Sequence, residues 1–202
     1  MKLYYLPGAC SLASHISLIE AGIPHQAFAV DRQTKRTADG QDFTAFNPKG
    51  YVPALVLDDG QVLTETPALL PYIGTLNPAA KLAPAPGTLG HFRVTEWCVY
   101  LSTEVHKALG PIFRPDTPDE QKAKQREIAT HRLKLVEAAL AGQPYLTGAD
   151  FTVADAYLYV ILSWGPRTGL DLSGLPRLAE FLARVGQRPL VIAARKDEGL
   201  PA

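Results

Sequence analysis

The 202-residue sequence has few cysteines and no excess of charge of either sign. Two cysteines, Cys10 and Cys98, are too few for the disulfide framework of a small secreted protein, which favours the cytoplasm. Lys plus Arg and Asp plus Glu each number 20, so the formal net charge is zero. A neutral chain lacks the bulk attraction to DNA, RNA or anionic lipid. Polyanionic partners are therefore disfavoured, although a local basic cluster can still bind a small anion.

Long apolar runs and metal-binding patterns are also missing from the sequence. No segment approaches the length of a membrane span. The first residues resemble the start of a signal peptide, but Pro7-Gly8, His15 and Glu20 interrupt the apolar run that a signal peptide needs. No two histidines and a carboxylate share the spacing of metal ligands. We therefore expect a cytoplasmic protein with no membrane partner, no nucleic-acid partner and no metal.

Residues 1–80 have the pattern of a mixed α/β domain. Residues 3–6 are a short apolar strand candidate that ends at Pro7-Gly8. Apolar residues then recur at helical spacing up to Gly22, and residues 26–30 are a second strand candidate. This order of strand, helix and strand predicts a central sheet flanked by helices.

A hairpin and a helix complete the first domain. Residues 54–57 and 61–63 flank Asp58-Asp59-Gly60, a turn sequence, and are predicted to pair. Thr66-Pro67 then opens a helix, because threonine caps a helix start and proline is tolerated at the first helical position.

The rest of the chain is predicted to be a linker followed by an all-helical domain. Residues 81–87 are rich in proline and lack periodicity, as linkers do. Residues 88–202 show several helical segments, and Thr152 and Asp155 have the spacing of a capping box at one helix start. The predicted helices cover residues 92–109, 118–140, 153–162, 175–185 and 189–198.

Cys10 is the first candidate for chemistry. It lies between a strand end and a helix start, where free backbone amides and the helix dipole stabilise an anion. No second cysteine follows at C-x-x-C spacing, so an external thiol such as glutathione would have to act with it. On local grounds a small buried core residue is an equally good interpretation.

Three further candidates lie in the first domain. Val52 precedes Pro53, and a cis bond there would turn the Val52 backbone outward to pair with an extended peptide. Glu65 and Thr66 lie at a helix N-terminus, which suits the carboxylate and ammonium groups of an amino-acid head. Lys35 in a polar loop could meet a second carboxylate. Each has a plain structural alternative: a trans proline at a strand start, a capped helix or a solvated lysine.

The helical domain offers one further cluster. Val99, Thr103 and His106 have the spacing of one helix face, and His106 could polarise a substrate or donate to a thiolate. A lone helical histidine is also common as a surface or core residue.

Taken together, these residues resemble the glutathione S-transferase family, and specifically its beta class. Three stretches carry the resemblance: Tyr5-Leu6-Pro7-Gly8-Ala9-Cys10-Ser11-Leu12-Ala13-Ser14-His15, Asn47-Pro48-Lys49-Gly50-Tyr51-Val52-Pro53-Ala54-Leu55 and Phe151-Thr152-Val153-Ala154-Asp155-Ala156. The helical stretches Glu96-Trp97, Thr103-Glu104-Val105-His106-Lys107 and Phe113-Arg114-Pro115 are also similar to the beta class. The similarity extends, in order, over essentially the whole chain.

The resemblance implies a thioredoxin-like N-terminal domain, an all-α C-terminal domain, a homodimer and glutathione as co-substrate. It also implies roles by position. Cys10 would contact the glutathione sulfur by a hydrogen bond or a mixed disulfide, with His106 nearby. The other implied glutathione contacts are Lys35, Val52 before a cis Pro53, Glu65, Thr66 and Thr103. In this class the Cys10 region, rather than Tyr5, would do the catalytic work.

The sequence departs from the beta-class pattern at two positions. Val99 replaces an asparagine that can touch glutathione in the beta class, and Thr66 replaces the commoner serine while keeping the hydroxyl. Val99, Phe113 and Trp164 are candidates for the wall of an electrophile pocket. The expected function is conjugation of glutathione to small hydrophobic electrophiles, with peroxide reduction possible. The alternatives are a glutathione-dependent thiol-disulfide oxidoreductase that cycles through Cys10, and a non-enzymatic ligand-binding or regulatory protein on the same fold.

Overall fold

The N-terminal part of the protein is a four-stranded mixed sheet with flanking helices. The structure, a computed structural model, describes residues 1–201. The strands are β1 (Lys2–Tyr5), β2 (Gln26–Ala29), β3 (Ala54–Val56) and β4 (Val62–Thr64). Their order is β2-β1-β3-β4, with β1 parallel to β2 and antiparallel to β3. The hairpin predicted around Asp58-Asp59-Gly60 is confirmed, since β3 and β4 pair antiparallel from Ala54–Thr64 to Val56–Val62.

Helices make up most of the remaining structure. The segment Leu101–His106 is π-helical and continues directly from α4 into α5. No helix within residues 1–201 has an apolar stretch long enough to cross a membrane. The helices are α1 (Ser11–Glu20), α2 (Phe43–Phe46), α3 (Thr66–Leu76), α4 (Leu89–Tyr100), α5 (Lys107–Leu109), α6 (Asp119–Ala139), α7 (Val153–Ser163), α8 (Gly165–Thr168), α9 (Pro176–Gly186) and α10 (Pro189–Asp197).

Side chains alternate between the two faces of the sheet, as a pleated strand requires. Leu3 and Leu55 are buried in the main core, which also contains α1, α3 and the helices of the C-terminal part. Tyr4 and Ala54 point to the other face and pack with Phe43 of α2 in a smaller cluster. The expected α/β N-terminal part and all-helical C-terminal part are both confirmed.

Helix α1 joins the two parts, because it packs against α7 and α10 as well as against α3. At its C-terminal end, Glu20 accepts two hydrogen bonds from Arg188, at 2.8 and 2.9 Å. At its N-terminal end, buried Glu198 lies 3.1 Å from Nδ1 of His15 and accepts from the Gly8 backbone at 2.9 Å. The loop that leads to Cys10 is therefore held by the C-terminal part.

The start of α7 has the predicted capping box. The Asp155 carboxylate accepts from the Thr152 backbone and hydroxyl, both at 2.8 Å, and from the Leu146 backbone at 2.9 Å. The long helix predicted over 92–109 is instead divided into α4, the π-helical segment and α5.

Candidate functional site

Cys10 occupies the N-cap position of α1, at the end of the loop that follows β1. The Ser11 hydroxyl holds this loop by accepting from the Leu6 backbone at 3.1 Å and donating to the Leu6 carbonyl at 3.2 Å. The Cys10 thiol lies 3.4 Å from the carbonyl oxygen of Val52 and donates to it. The structure thus brings together Cys10 and Val52, two of the predicted site residues.

The Cys10 thiol is stabilised in its protonated form. Burial raises its pKa from 9.0 to about 11, while a hydrogen bond with Thr66 and the backbone amides of Cys10 and Ser11 act in the opposite direction. The helix start therefore does favour an anion, as the sequence predicted, but the loss of solvent is the larger effect. The Cys10 thiol is therefore favoured over its thiolate in the free protein.

Val52 and Pro53 lie immediately before β3, and the peptide bond between them is cis. The preceding loop is fixed by Asn47, whose side-chain amide donates to the Tyr51 carbonyl at 2.8 Å. The Val52 carbonyl is thereby placed beside the Cys10 thiol.

Charged residues line the rim of the cleft beyond Val52. Glu65 is the N-cap residue of α3 with a φ of 70°, and its carboxylate forms an ion pair with Lys49 at 2.8 Å. Lys35 has a φ of 58° and donates to the Gly50 carbonyl at 3.1 Å. Lys35 and Glu65 therefore lie along one rim, joined through the Lys49-Gly50 loop. Lys49 was missed as a candidate, although it lies within one of the stretches that carry the family resemblance.

His106 ends the π-helical segment and faces the aromatic side of the cleft. Its Nδ1 atom lies 2.8 Å from the Tyr157 hydroxyl oxygen, and its ring centroid lies 4.8 Å from that of Trp164. Burial lowers the pKa of His106 from 6.5 to about 4, so the imidazole is neutral near neutral pH.

Val99 and Thr103 are exposed, whereas His106 is partly buried. The Thr103 side chain is exposed and donates to the Val99 carbonyl at 3.1 Å, and Val99 is itself 44% exposed. A π-helical turn contains more residues than an α-helical one, which alters which residues share a face after Tyr100. The α-helical spacing from which Val99, Thr103 and His106 were grouped therefore does not hold beyond Tyr100.

Tyr157 links the two chemical candidates and was also missed. It is buried in α7, next to His106. Burial raises the pKa of Tyr157, and a thiolate at nearby Cys10 would raise it further. In the sequence Tyr157 lies within an apolar run, which is typical of a core residue. Only the packing of α7 against the π-helical segment reveals its contact with His106.

Trp164 and Phe113 form the wall beside His106. Their rings meet edge to face with centroids 5.4 Å apart. The Trp164 indole donates to the Gly8 carbonyl at 2.9 Å, which ties this wall to the loop that carries Cys10. Trp164 is nearly completely buried, whereas Phe113 is partly exposed.

In the part of the chain that the structure describes, the candidate site has neither a metal-binding cluster nor the cavity found elsewhere. Across residues 1–201 there is no group of three or more His, Cys, Asp or Glu side chains arranged to hold a metal ion. A cavity of about 400 Å³ lies elsewhere, near the C-terminal end of α3, and is lined in part by Lys81, Asp150 and Thr152. The candidate site lies where the two parts of the chain meet, and it is built from polar and aromatic side chains.

Comparison with known proteins places these features in a family. Residues 8–76 match the model of the glutathione S-transferase N-terminal domain, and residues 100–189 match that of the C-terminal domain. The chain is 44% identical over 200 residues to glutathione S-transferase GstA of Escherichia coli O157:H7, covering 99% of this chain and 100% of that protein.

Solved structures agree with the sequence matches. A sphingomonad glutathione S-transferase complexed with glutathione is 46% identical, with a TM-score of 0.95 and complete coverage of both chains. A bacterial beta class glutathione S-transferase of Sphingomonas chungbukensis is 44% identical, again with a TM-score of 0.95 and complete coverage of both chains. The chain therefore belongs to the glutathione S-transferase family, and its solved neighbours include the bacterial beta class that its sequence resembles.

Proposed function

We propose that the protein conjugates glutathione to small hydrophobic electrophiles, and that the cleft around Cys10 binds the glutathione sulfur. One observation supports this most directly: the protonated Cys10 thiol lies beside the Val52 carbonyl at the base of the cleft. A relative of 46% identity with the same fold is described as complexed with glutathione.

Neutral hydrogen-bond donors would stabilise the glutathione thiolate. Cys10 can donate its proton to that sulfur, because burial keeps the Cys10 pKa at about 11. If the Tyr157 hydroxyl donates to Nδ1 of His106, the imidazole proton lies on Nε2 and can be donated into the cleft. The pKa of the glutathione thiol would then fall toward neutrality, at about 1.36 kcal/mol of thiolate stabilisation for each unit.

The peptide part of glutathione would lie along the charged rim. The Val52 backbone would pair with the cysteinyl backbone next to Pro53, as an added strand does. Glu65 and Thr66 would hold the γ-glutamyl head at the start of α3, and Lys35 would meet the glycyl carboxylate. Thr103 would approach from the helical part.

The two parts of the chain would divide these tasks. We propose that residues 1–80 bind glutathione, that residues 81–87 are a linker and that residues 88–202 contribute the electrophile site. Phe113 and Trp164 would form one apolar wall of that site, and Val99 remains a candidate for another. The glutathione thiolate would attack an electrophilic carbon, form a carbon–sulfur bond and displace a leaving group such as halide.

The raised Cys10 pKa argues against the oxidoreductase alternative. A thiol that cycles through a mixed disulfide must attack as the thiolate, and burial disfavours that form here. Incubation with oxidised glutathione followed by mass spectrometry separates the two functions. An unmodified Cys10 together with intact conjugating activity is the expected result.

Association and location belong to the same proposal. Leu89 and Phe92 expose apolar side chains on one face of α4, with Leu89 70% and Phe92 59% exposed. A second copy of the chain would cover this face in a homodimer. Sedimentation of the protein and of a Phe92→Glu variant tests the dimer.

Both cysteines are free thiols, which is consistent with the cytoplasm, where we place the detoxifying role.

A conjugation assay tests the proposed function. Chloronitrobenzene, epoxide, enone and peroxide substrates are compared for the wild-type protein, Cys10→Ala and His106→Ala, with glutathione binding measured by calorimetry. We expect activity in the wild type and lower rates in both variants. Equal rates in all three proteins would overturn the site assignment, and no binding at about millimolar glutathione would favour the non-enzymatic alternative.

A further inference from the structure

Arg167 is a cation placed at the aromatic wall of the cleft. It lies in α8, three residues after Trp164, and its guanidinium carbon lies 5.1 Å from the centroid of the Phe113 ring. Phe113 in turn packs on Trp164, which packs on His106. The charge of Arg167 is therefore connected to the chemical end of the site through two aromatic contacts.

The same guanidinium lies beside the loop that carries Cys10. Its Nη1 atom is 3.8 Å from the position that a Cβ atom on Gly8 would occupy. Because consecutive Cα atoms are about 3.8 Å apart, the Cα atoms of Gly8 and Cys10 are separated by less than about 8 Å. Arg167 is therefore a direct neighbour of the loop that leads to Cys10.

Arg167 differs from Arg188, another arginine that lies over an aromatic ring. Arg188 lies 4.1 Å from the Phe151 ring centroid and is neutralised by Glu20 at 2.8 Å. Among residues 1–201 no carboxylate lies within ion-pairing distance of Arg167. An arginine keeps its charge at any relevant pH and can bind a carboxylate through two parallel hydrogen bonds. Its charge is therefore available to a ligand.

We propose that Arg167 selects electrophiles that carry a carboxylate, with the aromatic ring of the electrophile against Phe113 and its reacting carbon toward the glutathione sulfur. This inference rests on the proposed function, since it concerns the second substrate of the same cleft. It assigns the substrate class as planar, aromatic and anionic. Stacking on Phe113 fixes the guanidinium plane, so less side-chain freedom is lost when the carboxylate binds.

A matched pair of substrates tests the proposal. The anionic probe is 4-chloro-3-nitrobenzoate, and the neutral probe is 4-chloro-3-nitrobenzamide. In both, the glutathione thiolate attacks the carbon that carries chlorine, the carbon–sulfur bond forms, and chloride leaves with the electron pair of the broken bond. The measured quantity is the ratio of kcat/KM for the benzoate to that for the benzamide, corrected for the uncatalysed rates.

The expected result is a ratio that depends on the charge at position 167. Arg167→Gln should lower the ratio about tenfold, the size expected for the loss of one charge-assisted hydrogen-bonded contact, while Arg167→Lys should lower it less. Arg184→Gln is the matched control. Like Arg167, Arg184 is an arginine that lies over aromatic rings, in its case those of Tyr145 and Phe181. This variant should leave the ratio unchanged.

A ratio that stays within about twofold in Arg167→Gln overturns the proposal. If that variant does not fold, the wild-type ratio decides: it should fall as ionic strength rises, and a ratio insensitive to salt also overturns the proposal. Conjugation of the benzamide with an unchanged ratio would remove only this inference. A wild-type protein that conjugates neither probe and does not bind glutathione would remove the proposed function as well.

Discussion

The two ends of the candidate glutathione site differ in their physical character. At the sulfur end, Cys10 and His106 are partly buried, and burial shifts the pKa of each in the direction that favours its neutral form. At the peptide end, Glu65 and Lys49 form an exposed ion pair. Electrostatic effects are strong in a buried, poorly solvated region and weak at an exposed rim. Changes at the sulfur end should therefore alter catalysis, and changes at the peptide end should alter substrate affinity.

The largest expected effect is at His106. His106→Ala removes a donor to the thiolate, and a hydrogen bond to a charged group contributes about 1.5–3 kcal/mol, so kcat/KM should fall about 10- to 100-fold. Stopped-flow or steady-state conjugation assays measure the change. His131→Ala is the control, because His131 is exposed on α6. A His106→Ala variant with wild-type kcat/KM would show that the sulfur end does not act through this residue.

An intermediate effect concerns stability at acidic pH. The folded-state pKa of His106 is lowered from 6.5 to about 4, so the unfolded chain binds more protons in this interval. Stability must therefore fall as pH drops through this interval, by up to about 3 kcal/mol from this group. Urea unfolding of the wild type and of His106→Asn at several pH values measures the difference.

The comparison between wild type and variant is needed because Asp155 acts in the opposite direction. Burial raises the pKa of Asp155 from 3.8 to about 6, so its contribution to stability is present at low pH and lost as pH rises through about 6. Subtracting the two proteins cancels Asp155. A stability difference that does not vary with pH would contradict the buried, neutral state of His106.

The smallest effect is expected at the peptide end. Glu65→Gln should raise KM for glutathione by about two- to fivefold with little change in kcat, since exposed charge pairs contribute about 1 kcal/mol or less. Lys49→Gln removes the other half of the same ion pair and should change KM less. Added salt should weaken the Glu65 effect. A loss of kcat in Glu65→Gln, with KM unchanged, would mean that the two ends do not divide affinity from catalysis.

Much of the fold could be predicted from local patterns. The β3–β4 hairpin and the capping box of Thr152 and Asp155 depend on neighbouring residues, and both are present as predicted. The π-helical segment could not be predicted, because periodicity alone does not distinguish an inserted residue in a helix from a continuous α-helix.

The site was only partly predictable for a related reason. The positions of Cys10 and Val52 follow from the order of strand, loop and helix, but the pKa of Cys10 depends on burial by distant parts of the chain. Tyr157, more than a hundred residues away, is near Cys10 only because α1 packs on α7. Such contacts leave no local signal, so the sequence predicted the helix-start effect and missed the larger effect of burial.

The most direct test of a protonated Cys10 is the ultraviolet absorbance of thiolate as a function of pH. The free protein should show no Cys10 thiolate up to about pH 9, two units below its pKa of about 11. Saturation with glutathione should produce one thiolate per chain near neutral pH, because the bound tripeptide supplies it. A thiolate that forms near neutral pH in the free protein, and is lost in Cys10→Ala, would contradict the account.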